Sequence, residues 1–160
     1  IAYFSQPGHH GDENAAWILE QIRSFYTVFN TEFLCLWGEA AAAGRGELFV
    51  SGVLKTAEEL DTAQRHFMAQ LWCDSIGFAG AKMIRRVLTI AHVADLEEIS
   101  DVDLRATCEK KVLLMGRKLV LASQEMAMTC SVSSMEILLQ HAKELYATNS
   151  LPVIWPSGSV

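Results

Sequence analysis

Proline is almost absent from this chain. Its three copies are Pro7, Pro152 and Pro156, so residues 8–151 contain none. Proline breaks helix interiors and punctuates loops, so so long a span without it favours a mostly helical chain. Closely spaced cysteine pairs are missing too. Cys35, Cys73, Cys108 and Cys130 lie far apart and form no CxxC, which leaves neither a zinc ribbon nor a thioredoxin-like site to be read. They are expected as reduced, buried thiols of a cytosolic protein, with disulfides as the alternative. Positive charge is in deficit: thirteen Lys+Arg face nineteen Asp+Glu, for a net charge of −6, which argues against a generally basic nucleic-acid binder. No uninterrupted apolar stretch approaches the roughly 18 residues of a transmembrane helix, so no membrane span is expected. No basic segment followed by a hydrophobic run marks a signal peptide. The first residue is Ile1 rather than Met, which reads as a start inside a longer protein.

What remains is an apolar chain of 160 residues, 51% hydrophobic and 20% charged, large enough for one all-α domain. Residues 5–12 read as a loop, with Asp12 as a helix cap and Glu13 adding negative charge at the positive helix end. A first long helix then runs to about residues 41–43. Its Trp17, Ile18, Ile22, Phe25, Phe29, Phe33, Leu36 and Trp37 recur every three or four residues and form a wide aromatic stripe, read as core. Gly44-Arg-Gly46 stops it, and residues 47–53 stay open between a short strand and an irregular connection. A second helix is expected over 57–75 with Leu60, Phe67, Leu71 and Trp72 inward. After residues 76–81 a helix restarts and runs through Lys82 to about His92, with Gly80 marking close backbone packing. An acidic turn over 95–103 leads to a helix over about 102–122, capped by Ser100 or Asp101. Leu104, Cys108, Val112, Met115 and Leu119 line one face of it, and Arg117 and Lys118 lie near its end. A last helix from Ser133 or Ser134 to Ala147 precedes a tail.

Few residue groups carry chemistry. Lys82 stands three and four residues before Arg85 and Arg86, so on a helix the three share a flank. Adjacent arginines diverge by about 100° and can grip a ligand from two sides or divide between ligand and core. Guanidinium forks suit phosphates, carboxylates and sugar hydroxyls. The alternative is a solvated pair that bridges to the acidic turn. Eight basic and six acidic residues share 82–118, a mixed surface rather than a nucleic-acid patch. His10-Gly11-Asp12 matches the catalytic triplet of aminoglycoside-kinase-like enzymes, in which the Asp handles the attacking hydroxyl. No Asp-x-Asp or Asp-x-Glu follows within 40 residues, and the cap reading is preferred. His9, His10 and Asp12 as metal ligands lack a distal partner. His92 reads as a structural histidine at a helix end, and His66 and His141 have no readable partners. Gly44-x-Gly46 lacks the rest of a nucleotide loop, and no Gly-x-Ser-x-Gly elbow occurs.

The run Gly77-Phe-Ala-Gly-Ala-Lys-Met-Ile-Arg-Arg86, continuing to Ile90-Ala-His-Val-Ala-Asp-Leu96, closely resembles the C-terminal part of the S-methyl-5-thioribose kinase family. The likeness extends through Asp103-Leu-Arg-Ala106 and Gly116-Arg117. Backwards it takes in Ala2-Tyr-Phe-Ser-Gln6, Trp17-Ile-Leu-Glu20 and Phe33-Leu-Cys-Leu-Trp37. It covers residues 1–122 and fades over 123–160, which is expected to form a divergent terminal helix and tail.

The resemblance implies the helical C-terminal-lobe portion of a bilobal, protein-kinase-like fold. It implies a cytoplasmic parent enzyme of methionine salvage that moves the γ-phosphate of ATP, with Mg²⁺, to the 1-hydroxyl of 5-methylthioribose. The paired arginine of that family's substrate site matches Arg85 and Arg86. The nucleotide lobe, the catalytic-loop Asp and the Asp-x-Glu metal motif have no counterpart in these residues. No catalytic, ATP-binding or Mg²⁺-binding residue is therefore expected here, and the chain alone is expected to be inactive. His10-Gly11-Asp12 aligns with a later Ser-Gln-x-Gly-His loop, which makes its triplet a coincidence. A homodimer is expected by the same likeness, and neither a nucleic-acid nor a membrane partner. The alternative is a non-catalytic helical binding or scaffolding module derived from the kinase lobe.

Overall fold

A computed structural model describes residues 1–43, 53, 54, 56–125 and 132–148. In chain order these form α1 (Ala2–Ser5), a 3-10 turn (Gln6–Gly8), α2 (Gly11–Ala42), α3 (Ala57–Leu88), α4 (Ala94–Glu97), α5 (Val102–Glu125) and α6 (Val132–Ala147). Among the described residues there is no strand, and the chain is all-α as expected. The readings made for 47–52, Cys130 and the tail beyond Thr148 lie outside the described residues.

The core is centred on α5. Cys108, Val112, Met115 and Leu119, spaced by three and four, form its buried stripe. Trp72 and Ile76 of α3, Tyr3 and Phe4 of α1, and Leu138, Leu139, Ala142 and Leu145 of α6 join it. The closest approach is between α3 and α5, at two glycines. A Cβ on Gly80 would lie 2.6 Å from the Gly116 carbonyl oxygen, and one on Gly116 would lie 3.0 Å from the Gly80 carbonyl oxygen. This explains why α3 runs unbroken from Ala57 to Leu88, where a break was expected over 76–81. Glycine there serves a helix seam, and the helix tolerates it because the facing backbone fills the space.

The helix ends differ from expectation in several places. Asp12 does not cap α2. The preceding residue is His10, with no side-chain cap, and Asp12 lies in the first turn, where its Oδ1 accepts a 3.0 Å hydrogen bond from the Tyr146 hydroxyl. Gly11 enters the helix at φ +76°, a left-handed conformation that glycine adopts without strain. The loop expected over 5–12 holds the end of α1 and the 3-10 turn. The acidic turn contains α4. Asp101 caps α5 as expected, its Oδ1 accepting from the Asp103 and Leu104 amides at 3.0 Å each. Since α5 continues to Glu125, Arg117 and Lys118 are not at its end. Of the thiols described, Cys73 and Cys108 are buried, but Cys35 is exposed.

The largest correction concerns α2. Its apolar stripe was read as core, yet only Ala15 and Leu19 are buried, while Trp17 is 59% and Phe25 74% exposed. Periodicity says which residues share a face; it says nothing of what covers that face. Ring contacts bridge α2 to α3: Tyr26 to Trp72 at 4.5 Å between centroids, and Phe33 and Trp37 to Phe67 at 5.8 and 5.3 Å. The second long helix thus stands off from the first by the width of an aromatic layer. Helix α6 is tied to α2 near both its ends. Arg23 forks onto Glu136 at 2.7 and 2.9 Å, and Tyr146 reaches Asp12.

Candidate functional site

The paired arginines occupy the last turn of α3, where cations also suit the negative helix end. The two differ in surroundings. Arg85 is exposed, and its side chain makes no ion pair among the described residues. Arg86 is half-buried. Its Nη1 donates to the Ala91 and His92 carbonyls at 3.4 and 3.5 Å, long contacts that leave its other N–H groups available. The bridge to the acidic segment 95–103, the alternative to a ligand role for this pair, does not form among the described residues.

The backbone around the pair is firmly organised. Thr89 closes α3, its amide and hydroxyl both bonding the Arg85 carbonyl, at 3.1 and 2.8 Å. Its hydroxyl also accepts from the Ala91 amide at 3.4 Å. Helix α3 therefore ends at Leu88, and the exposed His92 lies beyond it rather than at a helix end. On the other side of the connection, His9 Nε2 meets the Asp95 carbonyl at 2.8 Å. The loop that carries His9 is itself pinned. Gln6 bonds the Ala2 carbonyl and Asn14, each at 2.7 Å, and a Cβ on Gly8 would lie 2.6 Å from Ile99 Cγ1. The Ser5–His9 stretch and the Arg86-anchored stretch 91–95 thus meet, although His9 and Asp95 are 86 positions apart in the chain. Sequence reading found no such link, because His9 contacts a backbone carbonyl and not a recognisable side-chain partner.

His9, His10 and Asp12 do not converge with a further ligand. Among the described residues no group of three His, Cys, Asp or Glu side chains comes together to hold a metal ion. No described helix is long and apolar enough to cross a membrane.

A second feature lies elsewhere. An open cleft of about 700 Å³ runs between α2 and α3, floored by α5 and α6, and neither arginine lines it. Its walls are nearly all apolar, with Trp17, Ile22 and Phe25 on one side and Met68, Trp72 and Met83 on the other. Trp72 is buried, and its indole N–H has no hydrogen-bond partner among the described residues.

At the α5–α6 junction sits a buried cation that the sequence did not reveal. Lys111 is 6% exposed; its Nζ donates to the Tyr146 carbonyl at 2.5 Å and lies 5.5 Å from the centre of the Tyr146 ring. Burial lowers its pKa and raises that of the nearby Cys108 thiol. Burial pushes the Tyr3 phenol up to about 12 and raises Tyr146 as well, with the Asp12 hydrogen bond adding to the latter. A thiol held protonated is a poor nucleophile, so Cys108 is a core residue and not a reactive one.

Comparison with known proteins gives these features a context. No family model matches the chain. It is 41% identical over 129 residues to Methylthioribose kinase 1 of Oryza sativa subsp. japonica, covering 74% of this chain and 30% of that one. It is 33% identical over 149 residues to Methylthioribose kinase of Escherichia coli O45:K1, covering 89% of this chain and 33% of that one. Methylthioribose kinase of Yersinia enterocolitica is 34% identical over 127 residues, covering 77% and 29%. By sequence the chain therefore belongs to the methylthioribose kinase family, and it spans about a third of the length of the curated relatives it matches.

Proposed function

We propose that the chain is the C-terminal part of a cytoplasmic kinase that phosphorylates 5-methylthioribose on its 1-hydroxyl with ATP. In this reading residues 1–122 form the kinase C-terminal-lobe region and 123–160 its divergent end. The observation that carries the reading is the paired arginine, set at the end of α3 with no carboxylate on either guanidinium among the described residues. Arg85 is the substrate-facing group: an exposed fork suited to ribose oxygens and to charge on the transferred phosphoryl group. Arg86 shares that site through its remaining N–H groups and holds the 91–92 backbone in place. In this reading ATP and Mg²⁺ are held by other parts of the parent, and this chain alone is expected to lack turnover, because phosphoryl transfer depends on positioned nucleotide, metal and base.

The test is a chimera in which residues 1–160 replace the aligned region of the rice kinase. Methylthioribose-dependent ATP consumption is expected from the chimera and not from residues 1–160 alone. Arg85→Ala in the chimera is expected to lower kcat/KM by about tenfold or more, the size of a lost charge-assisted contact. Unchanged kinetics in both Arg85→Ala and Arg86→Ala refute the substrate role. A folded chimera with no turnover favours the non-catalytic module.

A further inference from the structure

We propose that the apolar cleft between α2 and α3 is the seat of an amphipathic helix supplied by the part of the parent kinase that lies outside these residues. The inference rests on the reading of the chain as a piece of a kinase. It adds where the rest of that polypeptide docks and in what form.

Three observations support it. The first is the waste of apolar surface on α2. Trp17, Ile22 and Phe25 are exposed and line the cleft beside Leu19, which is buried in the core. A contiguous apolar patch of this kind marks an interaction surface. The second is shape. From Trp17 to Phe29 the α2 wall runs 12 residues, about 18 Å at the helical rise, and the facing α3 wall from Met68 to Met83 runs about 22 Å. A trough of that length between two helices fits about four turns of a third. A helix satisfies its own backbone groups, whereas a strand laid there meets no strand edge among the described residues to pair with. The third is length. The matched relatives are about three times as long as the region they share with this chain, so the occupant has a source in the same polypeptide. The cleft has no charged side chain in its lining to specify a polar ligand; Gln21, Ser75, the Tyr3 and Tyr26 hydroxyls and the Trp17 and Trp72 indoles are its polar groups. The incoming face is accordingly aliphatic or aromatic, with its polar face turned to water.

The experiment co-expresses tagged residues 1–160 with the untagged remainder of the rice kinase, the part outside the aligned region. A second co-expression uses the Trp17→Asp/Phe25→Asp variant. Both substituted side chains are exposed, so the variant keeps its far-ultraviolet helical signal. The remainder is expected to be soluble and to co-purify with the wild-type chain, with the variant capturing at least about tenfold less. The wild-type chain alone is expected to bind an apolar dye, and to lose that fluorescence in the complex. Several outcomes overturn the proposal. One is equal capture by the variant. Another is a remainder that stays insoluble in both co-expressions. A third is a wild-type chain that self-associates through these two residues and captures nothing, which assigns the cleft to a second copy. Dye-negative, monomeric wild-type chain assigns it to this chain's own residues. Capture without phosphorylation of methylthioribose defeats the proposed activity and leaves the docking inference standing; active chimera without capture does the reverse.

Discussion

Neighbouring arginines on one helical turn have unequal surroundings, and that inequality is measurable. Arg86 holds two backbone carbonyls of the 91–92 stretch, whereas Arg85 stands in solvent. In residues 1–160, Arg86→Ala is expected to lower stability by about 0.5–1 kcal/mol, the net worth of an ordinary hydrogen bond. Arg85→Ala is expected to stay within about 0.5 kcal/mol of the parent. Urea unfolding of the two variants checks this, and equal losses contradict the assigned division of labour. The buried groups at the α5–α6 junction make a second prediction, about pH. Lys111 has its pKa lowered from 10.5, so the unfolded chain holds this proton more tightly, and stability rises slightly as pH climbs toward that value. Tyr3 and Tyr146 are raised from 10.0, so the folded chain holds their protons more tightly. Their contribution is intact below pH 10 and is lost as pH rises toward about 12. The buried Cys108 thiol, raised from 9.0, acts in the same sense as the two tyrosines, so together they oppose Lys111 and the molecule is expected to lose stability across that window. Tyr146→Phe removes one of the two, so its melting temperature is expected to fall less between about pH 10 and about pH 12. An unaltered alkaline slope sinks the idea. At this scale the spacing of Arg85 and Arg86 offered either a ligand grip or a solvated pair, and only the family likeness implied a substrate role for them. The sequence could not mark Lys111, because a lysine that bonds a carbonyl 35 residues away leaves no local pattern.

Along the elements, the decisive contact is the glycine seam between α3 and α5. Adding a methyl group at Gly80 gains about 1 kcal/mol of helix propensity. It also forces a Cβ to within 2.6 Å of the Gly116 carbonyl and 2.9 Å of Leu119 Cβ. The nearer of these is backbone and has no rotamer to yield, so an overpacking cost of about 1–3 kcal/mol applies. Gly80→Ala is expected to be a net loss of up to about 2 kcal/mol, and a stabilised variant overturns the account. A gentler test sits at the start of α3. The Thr56 hydroxyl accepts from the Glu59 amide at 3.2 Å, and Glu59 accepts from the Thr56 amide at 3.0 Å. Thr56→Ala is expected to cost about 1 kcal/mol in thermal unfolding. The helices themselves were legible: the 3.6-residue period of α5 named its buried face correctly, and Asp101 was correctly offered as its cap. The unbroken α3 was not, because glycines that seal a helix seam look locally like glycines that end a helix. Close packing at Gly80 was read correctly, and its consequence for helix continuity was not.

At the scale of the molecule, stability is distributed unevenly, and the geometry predicts how. Helix α5 is surrounded: its Cys108 and Val112 are almost fully buried, and it meets α1, α3, α4 and α6. Helix α3 is locked to it along the glycine seam. The outer half of α2 has neither advantage. Beyond Leu19 it has no fully buried residue, and it reaches α3 through side-chain rings rather than through backbone approach. Local opening costs little where few apolar contacts must break and the backbone hydrogen bonds already face water. Amide exchange is therefore expected to be slowest in segments 108–119 and 72–83, and at least about a hundredfold faster in 25–42, a ratio that corresponds to about 2.7 kcal/mol. Exchange mass spectrometry on residues 1–160 reads these segments separately. Adding the remainder of the kinase is expected to slow exchange in the segment around Trp17–Phe29 and leave 108–119 unaltered, since the first is the open wall of the cleft and the second is already enclosed. If 25–42 exchanges as slowly as 108–119 in the chain alone, then α2 is held by something other than the ring layer, and the open cleft is not a feature of the chain in solution.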